Sequence, residues 1–415
     1  MNINLLSTFQ SPPSSFILHP SSFLYCLLSA ACCVLPETVP VEGEPFAAEL
    51  AGIDSQWQLT FRSGEQRRAL PAAELAHWGS CVEIRQGPVL VLADGGVLVA
   101  DVFQADKEHL TADSGLFGLV ELPLELLAGV VFQLPADRHA QDLLLNRVAS
   151  ATGESDQAVL QNGDEVAGRL EAIRDDVIRL ETVVGPVDVE IHRTQALVFN
   201  PALTRPPKRQ ALHAVAGFRD GSRLIGDRLA LDEQSLEIDV AGSLRWTTAP
   251  KEIVWLQPLG GRVTYLSDLE ASGYRHVPFL DLQWPYRTDR NVAGGMLRSG
   301  GRLYLKGLGM HSAARLTYLL AEPYRRFQAE LGIDDATSGR GSVRFRVFVD
   351  GNQKYASEPI RGGTPPVPVS VELAGAKRLD LVVDFVDHAD QQDHANWLDA
   401  RLVGPAVPAV SEGER

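Results

Sequence analysis

Three carboxylates close together in one loop, Asp387, Asp390 and Asp393, could hold a hard cation. Their spacing suits a structural Ca²⁺, and a merely solvated acidic loop would read the same way. The same third of the chain carries flat rings and planar polar heads. Trp284, Tyr286 and Trp397 could stack on a ligand, while Arg287, His311, Arg315, Arg340 and Asp393 could hydrogen-bond to it. These residue types hold a ligand without reacting with it. Bond-breaking chemistry leaves no comparable mark: there is no HExxH motif, no GxSxG elbow, no P-loop and no dinucleotide fingerprint.

Charge narrows the partners. The chain has 415 residues and a net charge of −15. Residues 36–261 hold 34 acidic and 19 basic side chains, whereas residues 262–404 hold 17 and 18. An acidic middle repels phosphate backbones, so nucleic acid is excluded as a partner. Cys26, Cys32 and Cys33 lie in an apolar N-terminal run and leave Cys81 alone in the body. One thiol builds neither a disulfide framework nor a cysteine metal site. The run 23–35 is too short for a transmembrane helix and suits the apolar core of a signal peptide, with Ser29-Ala30-Ala31 as the cleavage site. The expected location is therefore secreted, periplasmic or cell-surface. The absence of any basic residue before Arg62 counts against that reading.

The elements that must position these residues are almost all strands. Four segments in the acidic region share one plan: a glycine, alternating strands with polar turns, and a closing aromatic. They run from Gly43 to Trp78, Gly95 to Phe132, Gly163 to Phe199 and Gly221 to Trp255, with offsets of 35, 37, 36 and 34 residues. Period-two alternation gives strands with one buried face. So few strands cannot lie flat alone, and each unit is expected to curl into a small SH3-like or Sm-like barrel. Residues 137–147 form the one convincing helix and read as a linker (137–156) between a first pair of units (36–136) and a second (157–260).

From residue 261 to 404 the plan changes. Alternation is strong in Arg325–Leu331, Val343–Val349 and Leu379–Phe385, and Asp350-Gly351 is a tight hairpin turn. About eight strands in this length fit a two-sheet, jelly-roll-like β-sandwich. The fold class is all-β. Residues 405–415 read as a disordered tail.

Seven blocks in order carry a resemblance here. They are Tyr265-Leu-Ser-Asp-Leu269, Gly307-Leu-Gly-Met-His-Ser312, Leu316-Thr-Tyr318, Gly332-Ile-Asp-Asp335, Gly341-Ser-Val343, Phe348-Val-Asp-Gly351 and 393–401 from Asp393 through Trp397 to Arg401. Residues 262–403 resemble the NPCBM module associated with family 98 glycoside hydrolases, and the overall arrangement is similar to that of secreted planctomycete-type bacterial proteins. The resemblance implies a carbohydrate-binding sandwich, with galactose-type sugars as the ligand class. Ring faces would meet pyranose C–H groups, and Tyr286, Arg287 and Asp393 are expected to converge at one rim. Each candidate has a structural reading beside the functional one. His311 after Gly307-Leu-Gly309 equally suits a buried residue tying down a bend, Trp397 a core residue, and Asp334-Asp335 an ordinary turn. Arg344 and Arg346 read as a solvated face.

A facing carboxylate pair for glycoside hydrolysis has no motif of its own. The five β-units leave no segment long enough for a catalytic barrel, so no enzyme and no required cofactor are expected. The function expected is glycan or polysaccharide binding, with the acidic barrels as spacers. The alternative is a structural or protein-interaction scaffold whose sandwich no longer holds sugar and whose acidic barrels dock a protein.

Overall fold

The computed structural model describes residues 35–405 apart from 210–211, 243, 280–281 and 374, and these fall within one compact unit. The apolar run assigned to a leader and the tail beyond 405 lie outside the described residues.

The four glycine-led segments have a common element order. The third shows it most simply: strands Asp156–Leu160, Glu165–Arg174, Val177–Thr182 and Gly185–Glu190, a 3₁₀ turn Ile191–Arg193, then Thr194–Val198. In every segment the last strand returns to pair with the first, antiparallel. Gly43, Gly95, Gly163 and Gly221 sit in the first turn with φ of 104°, 89°, 89° and 93°, a region only glycine enters without strain. That turn is tied to the end of the 3₁₀ turn by one equivalent bond in each segment. Val41, Ala93, Gln161 and Arg219 donate their N–H groups to the carbonyls of Glu74, Leu126, Arg193 and Glu252, at 2.8–3.0 Å.

The closing aromatics are not all equivalent. Counted from the end of the 3₁₀ turn, Phe132 and Phe199 are the sixth residue, Trp255 the third and Trp78 the fourth. The position shared by all four is the fourth, held by Trp78, Val130, Leu197 and Leu256, each buried. Burial selects any large apolar side chain there, so the even spacing of aromatics overstates the match.

The segments also pair differently from the expectation of first with second and third with fourth. Trp78 faces Leu256 across one ladder, joining the first segment to the fourth. Val130 faces Leu197 across another, joining the second to the third. The helix Arg138–Ala149 begins at an Asp137 cap, whose carboxylate accepts from Ala140 N at 2.8 Å. Instead of bridging two pairs, it lies on the second ladder. A Cβ at Gly129 would come within 2.7 Å of Val148, and Leu144 and Val148 are buried in a cluster with Val89, Val131 and Ala196.

Residues 263–403 form two facing sheets. One contains Arg287–Thr288, Gly307–His311, His394–Val403, Arg326–Ile333 and Val367–Glu372 in that order, with Val263–Tyr265 also on His394–Val403. The other contains Gly273–His276, Ala314–Leu319, Arg378–Phe385, Ser342–Val349 and Asn352–Ala356, with Ile360–Arg361 on Ser342–Val349. In Ser342–Val349 the residues Val343, Phe345, Val347 and Val349 are buried while Arg344 is exposed, as alternation requires. Asp350 and Gly351 both have positive φ, 49° and 80°, the geometry of a two-residue hairpin.

Candidate functional site

The rim of the sandwich where the two sheets exchange strands is built by three short features. His311 ends the strand Gly307–His311 and pairs in register with His394 at the start of His394–Val403. The turn at Ser312-Ala313, with Ala313 at φ 55°, carries the chain into the other sheet, where Ala314 pairs with His276. The segment after His276 then crosses the rim and returns at Trp284, whose N–H donates to His276 Nδ1 at 3.2 Å.

Four rings meet there. Trp284 stacks on His311, with centroids 5.2 Å apart and planes 3° from parallel. His394 lies 5.6 Å from Trp284 and 5.8 Å from His311, and His276 packs edge-on against His311 at 5.7 Å. Trp284 is half-buried, and the crossing segment beside it presents Val277, Phe279 and Leu282 to solvent, each more than half exposed. The Asp390 carboxylate accepts from Phe279 N at 3.1 Å and pins this segment to the acidic loop.

His311 and His394 are held neutral. Burial brings His311 down to about 4, with His394 and His276 adding to the shift, and burial also lowers His394. His311 Nδ1, His394 Nδ1 and His276 Nε2 are buried without hydrogen-bond partners. The rim is thus an aromatic surface with unpartnered ring nitrogens buried beneath it.

Of the residues singled out from the sequence, the structure brings His311 and Trp284 together and scatters the rest. Trp397 is fully buried between the sheets, edge-on to Phe345 at 4.9 Å and tilted against Phe327 at 6.0 Å. Its stacking role is corrected to a core role. Tyr286 packs on Tyr274, with centroids 5.1 Å apart. Arg287 is exposed, and its Nε donates to Val292 O at 3.0 Å. Arg340 is exposed and donates to Thr337 O, and Arg315 lies over the Phe348 ring. Among the described residues no hydrogen bond, ion pair or ring contact joins Tyr286 or Arg287 to Asp393.

Asp393 is buried, and Oδ1 accepts from Ser342 N at 2.8 Å. Oδ2 and the nearby Ser312 hydroxyl make no hydrogen bond of good geometry, although Ser312 still draws the carboxyl down slightly. Of the two readings of the acidic loop, the structure gives no support to a cation site. Asp387 pairs with Arg361 at 2.7 Å, Asp390 is bound to Phe279 N and Asp393 to Ser342 N. Among the described residues no group of three or more His, Cys, Asp or Glu side chains could hold a metal ion. Asp334, read as a turn residue, does cap the 3₁₀ turn Asp335–Thr337 by accepting from Ala336 N, and it is also a buried hub that accepts from Asn291 Nδ2 and Asn396 Nδ2.

Burial raises Asp393 to about 6, and the neighbouring Asp390 charge adds to the rise. A carboxyl raised above its unfolded value of about 4 keeps its proton longer in the folded state. Its stabilising effect is full below pH ~4 and is lost as pH rises to about 6. Asp393→Asn, which retains Oδ1, should therefore gain stability relative to the parent across that window and stay level above it. Urea midpoints at pH 4, 5, 6 and 7 check this; a difference independent of pH would contradict it.

Comparison with known proteins assigns the sandwich. Residues 262–403 match the NPCBM/NEW2 domain family. The sandwich is thus a carbohydrate-binding type of module, about a third of the chain. A stretch of 117 residues is 34% identical to a candidate endo-alpha-N-acetylgalactosaminidase of Renibacterium salmoninarum, covering 28% of this chain and 8% of that protein. A 117-residue stretch is 33% identical to alpha-1,3-galactosidase B of Akkermansia muciniphila, covering 27% of this chain and 15% of that one. The chain thus matches a small part of either relative's length. Among solved structures, it is similar to CBM51 from Clostridium perfringens GH95 in complex with methyl-galactose (28% identity, 34% of this chain, 99% of that one, TM-score 0.31). It is also similar to the CBM51-2 and INT domains of Clostridium perfringens ZmpB with GlcNAc (23%, 53%, 44%, TM-score 0.32). No helix among the described residues is long and apolar enough to cross a membrane.

Proposed function

We propose that this chain is a non-catalytic, secreted glycan-binding protein whose NPCBM/NEW2 domain holds a galactose-type sugar at the rim formed by Trp284, His311 and His394. The observation that carries this reading is the half-buried Trp284 ring, held flat against a neutral His311 and flanked by exposed Phe279. A rigid ring of this kind offers a pyranose C–H face a surface that costs little entropy to order. The names of the two curated relatives, both concerning galactose-configured substrates, support the ligand class.

The four acidic β-units serve in this reading as small barrels that space and orient the module. Trp284→Ala should weaken binding of galactosides at least tenfold while leaving the urea midpoint nearly unchanged, because the ring is only half-buried. Titration of the variant and the parent with methyl-galactoside checks it; equal affinities would remove Trp284 from the site.

A further inference from the structure

Between the sandwich and the β-units lies a cavity of about 240 Å³. Glu83 and Arg223 contribute from the β-units, Asp142 and Asn146 from the helix Arg138–Ala149, and Asp289, Arg290, Arg298 and Lys306 from the sandwich. Apolar side chains such as Ile84, Val215 and Leu145 complete its walls. It is separate from the Trp284 rim, and none of the four rim rings lines it.

Every carboxylate in its wall is already committed. Arg298 takes Glu83 at 2.6 Å and Asp142 at 2.5 Å, and Lys306 takes Asp289 at 2.9 Å together with Asp268 outside the cavity. Two guanidinium groups on the same cavity remain without a carboxylate: Arg223 and Arg290. Arg223 meets the Cys81 thiol. Arg290 Nη1 donates to the Asp289 backbone carbonyl, its Nη2 reaches Asn146 Oδ1 only at 3.4 Å, and its Nε is buried with no acceptor. Burial lowers Arg290 from the usual guanidinium range; the Asp289 and Asp142 charges counter part of this, and the Arg223 and Arg298 charges add to it. In a chain with 53 acidic side chains against 38 basic ones, two arginines left unmatched in one cavity stand out.

We propose that this cavity binds a small oxyanion between Arg223 and Arg290. Arg290 Nε is a buried donor without an acceptor, and an anion held between the two guanidinium groups supplies one. The planar guanidinium fork matches the paired oxygens of a carboxylate, sulfate or phosphate. The volume is well above the ~10–15 Å³ that a single water needs.

The test is titration calorimetry on the whole chain at pH 7.5 and constant ionic strength, with sodium sulfate, sodium phosphate and sodium glucuronate, and chloride as the balancing salt. A saturable heat with at least one of the three is expected. It should be weakened about tenfold in Arg290→Gln and in Arg223→Gln, the size expected for a lost charge-assisted hydrogen bond. Arg290→Lys, which keeps the charge but loses the fork, should weaken it too, whereas exposed Arg344→Gln and rim Trp284→Ala should leave it unchanged. Response to sulfate or phosphate alone marks a free inorganic ion, and response to glucuronate alone marks an acidic sugar; either supports the site. No saturable heat with any of the three, or equal heats in parent and both glutamine variants, overturns it.

Discussion

Trp397→Ala should destabilise the chain by about 3–5 kcal/mol, the cost of deleting a large ring from a core that cannot close over the space. The ring is wholly buried, and Phe345 and Phe327 pack on it from within the sandwich. Both facing sheets line the resulting void, because Phe327 belongs to one and Phe345 to the other. Trp397→Phe, which keeps an aromatic body, should cost less. Urea unfolding followed by far-UV circular dichroism measures both changes. An unchanged midpoint with lost ligand binding would return Trp397 to the candidate site.

The second large effect is at the junction of the sandwich with the rest. Arg298 forms a two-point bond to Glu83, Nε at 2.6 Å and Nη2 at 2.9 Å, and a second to Asp142 on the helix. Its side chain is 13% exposed and that of Asp142 only 5%. Arg298→Met should cost about 3 kcal/mol, because it strands the nearly buried Asp142 carboxylate and leaves the 28%-exposed Glu83 without its partner. Neutralising them as well, in Arg298→Met/Glu83→Gln/Asp142→Asn, should recover part of the loss. If the single variant is as stable as the parent, the latch contributes nothing. If the triple variant is worse than the single one, the penalty is not one of stranded charge.

Particular residues show which parts of this were legible in the sequence. The first-turn glycines and alternating strands announce themselves locally, because φ near 90° needs glycine and one-sided burial needs period two. Which segment pairs with which was not legible. Trp78 and Leu256 meet across 177 intervening positions, and edge strands of similar composition offer many partners. Trp397 misled for a different reason. Its strand, His394–Val403, is buried along nearly its whole length and so shows no alternation to separate core from surface. His276 carried no signal, since a lone histidine has no periodicity, and His394 lay unremarked inside the 393–401 block; only the register of the strands brings them to His311. In the acidic loop spacing left two readings open; Asp387, Asp390 and Asp393 sit at ligand-like spacing, yet each is bonded to a different part of the fold.

The central claim, that the NPCBM/NEW2 domain holds a galactose-type glycan at the Trp284 rim, is tested most directly by isothermal titration of the whole chain. Methyl-galactoside and galactose-containing oligosaccharides serve as ligands, with glucose as control. The account predicts saturable heat with the galactosides at a Kd of about 1 mM or tighter, about −4 kcal/mol, and none with glucose. A folded protein that gives no heat with any galactoside would contradict it and favour a protein-docking role for the acidic units.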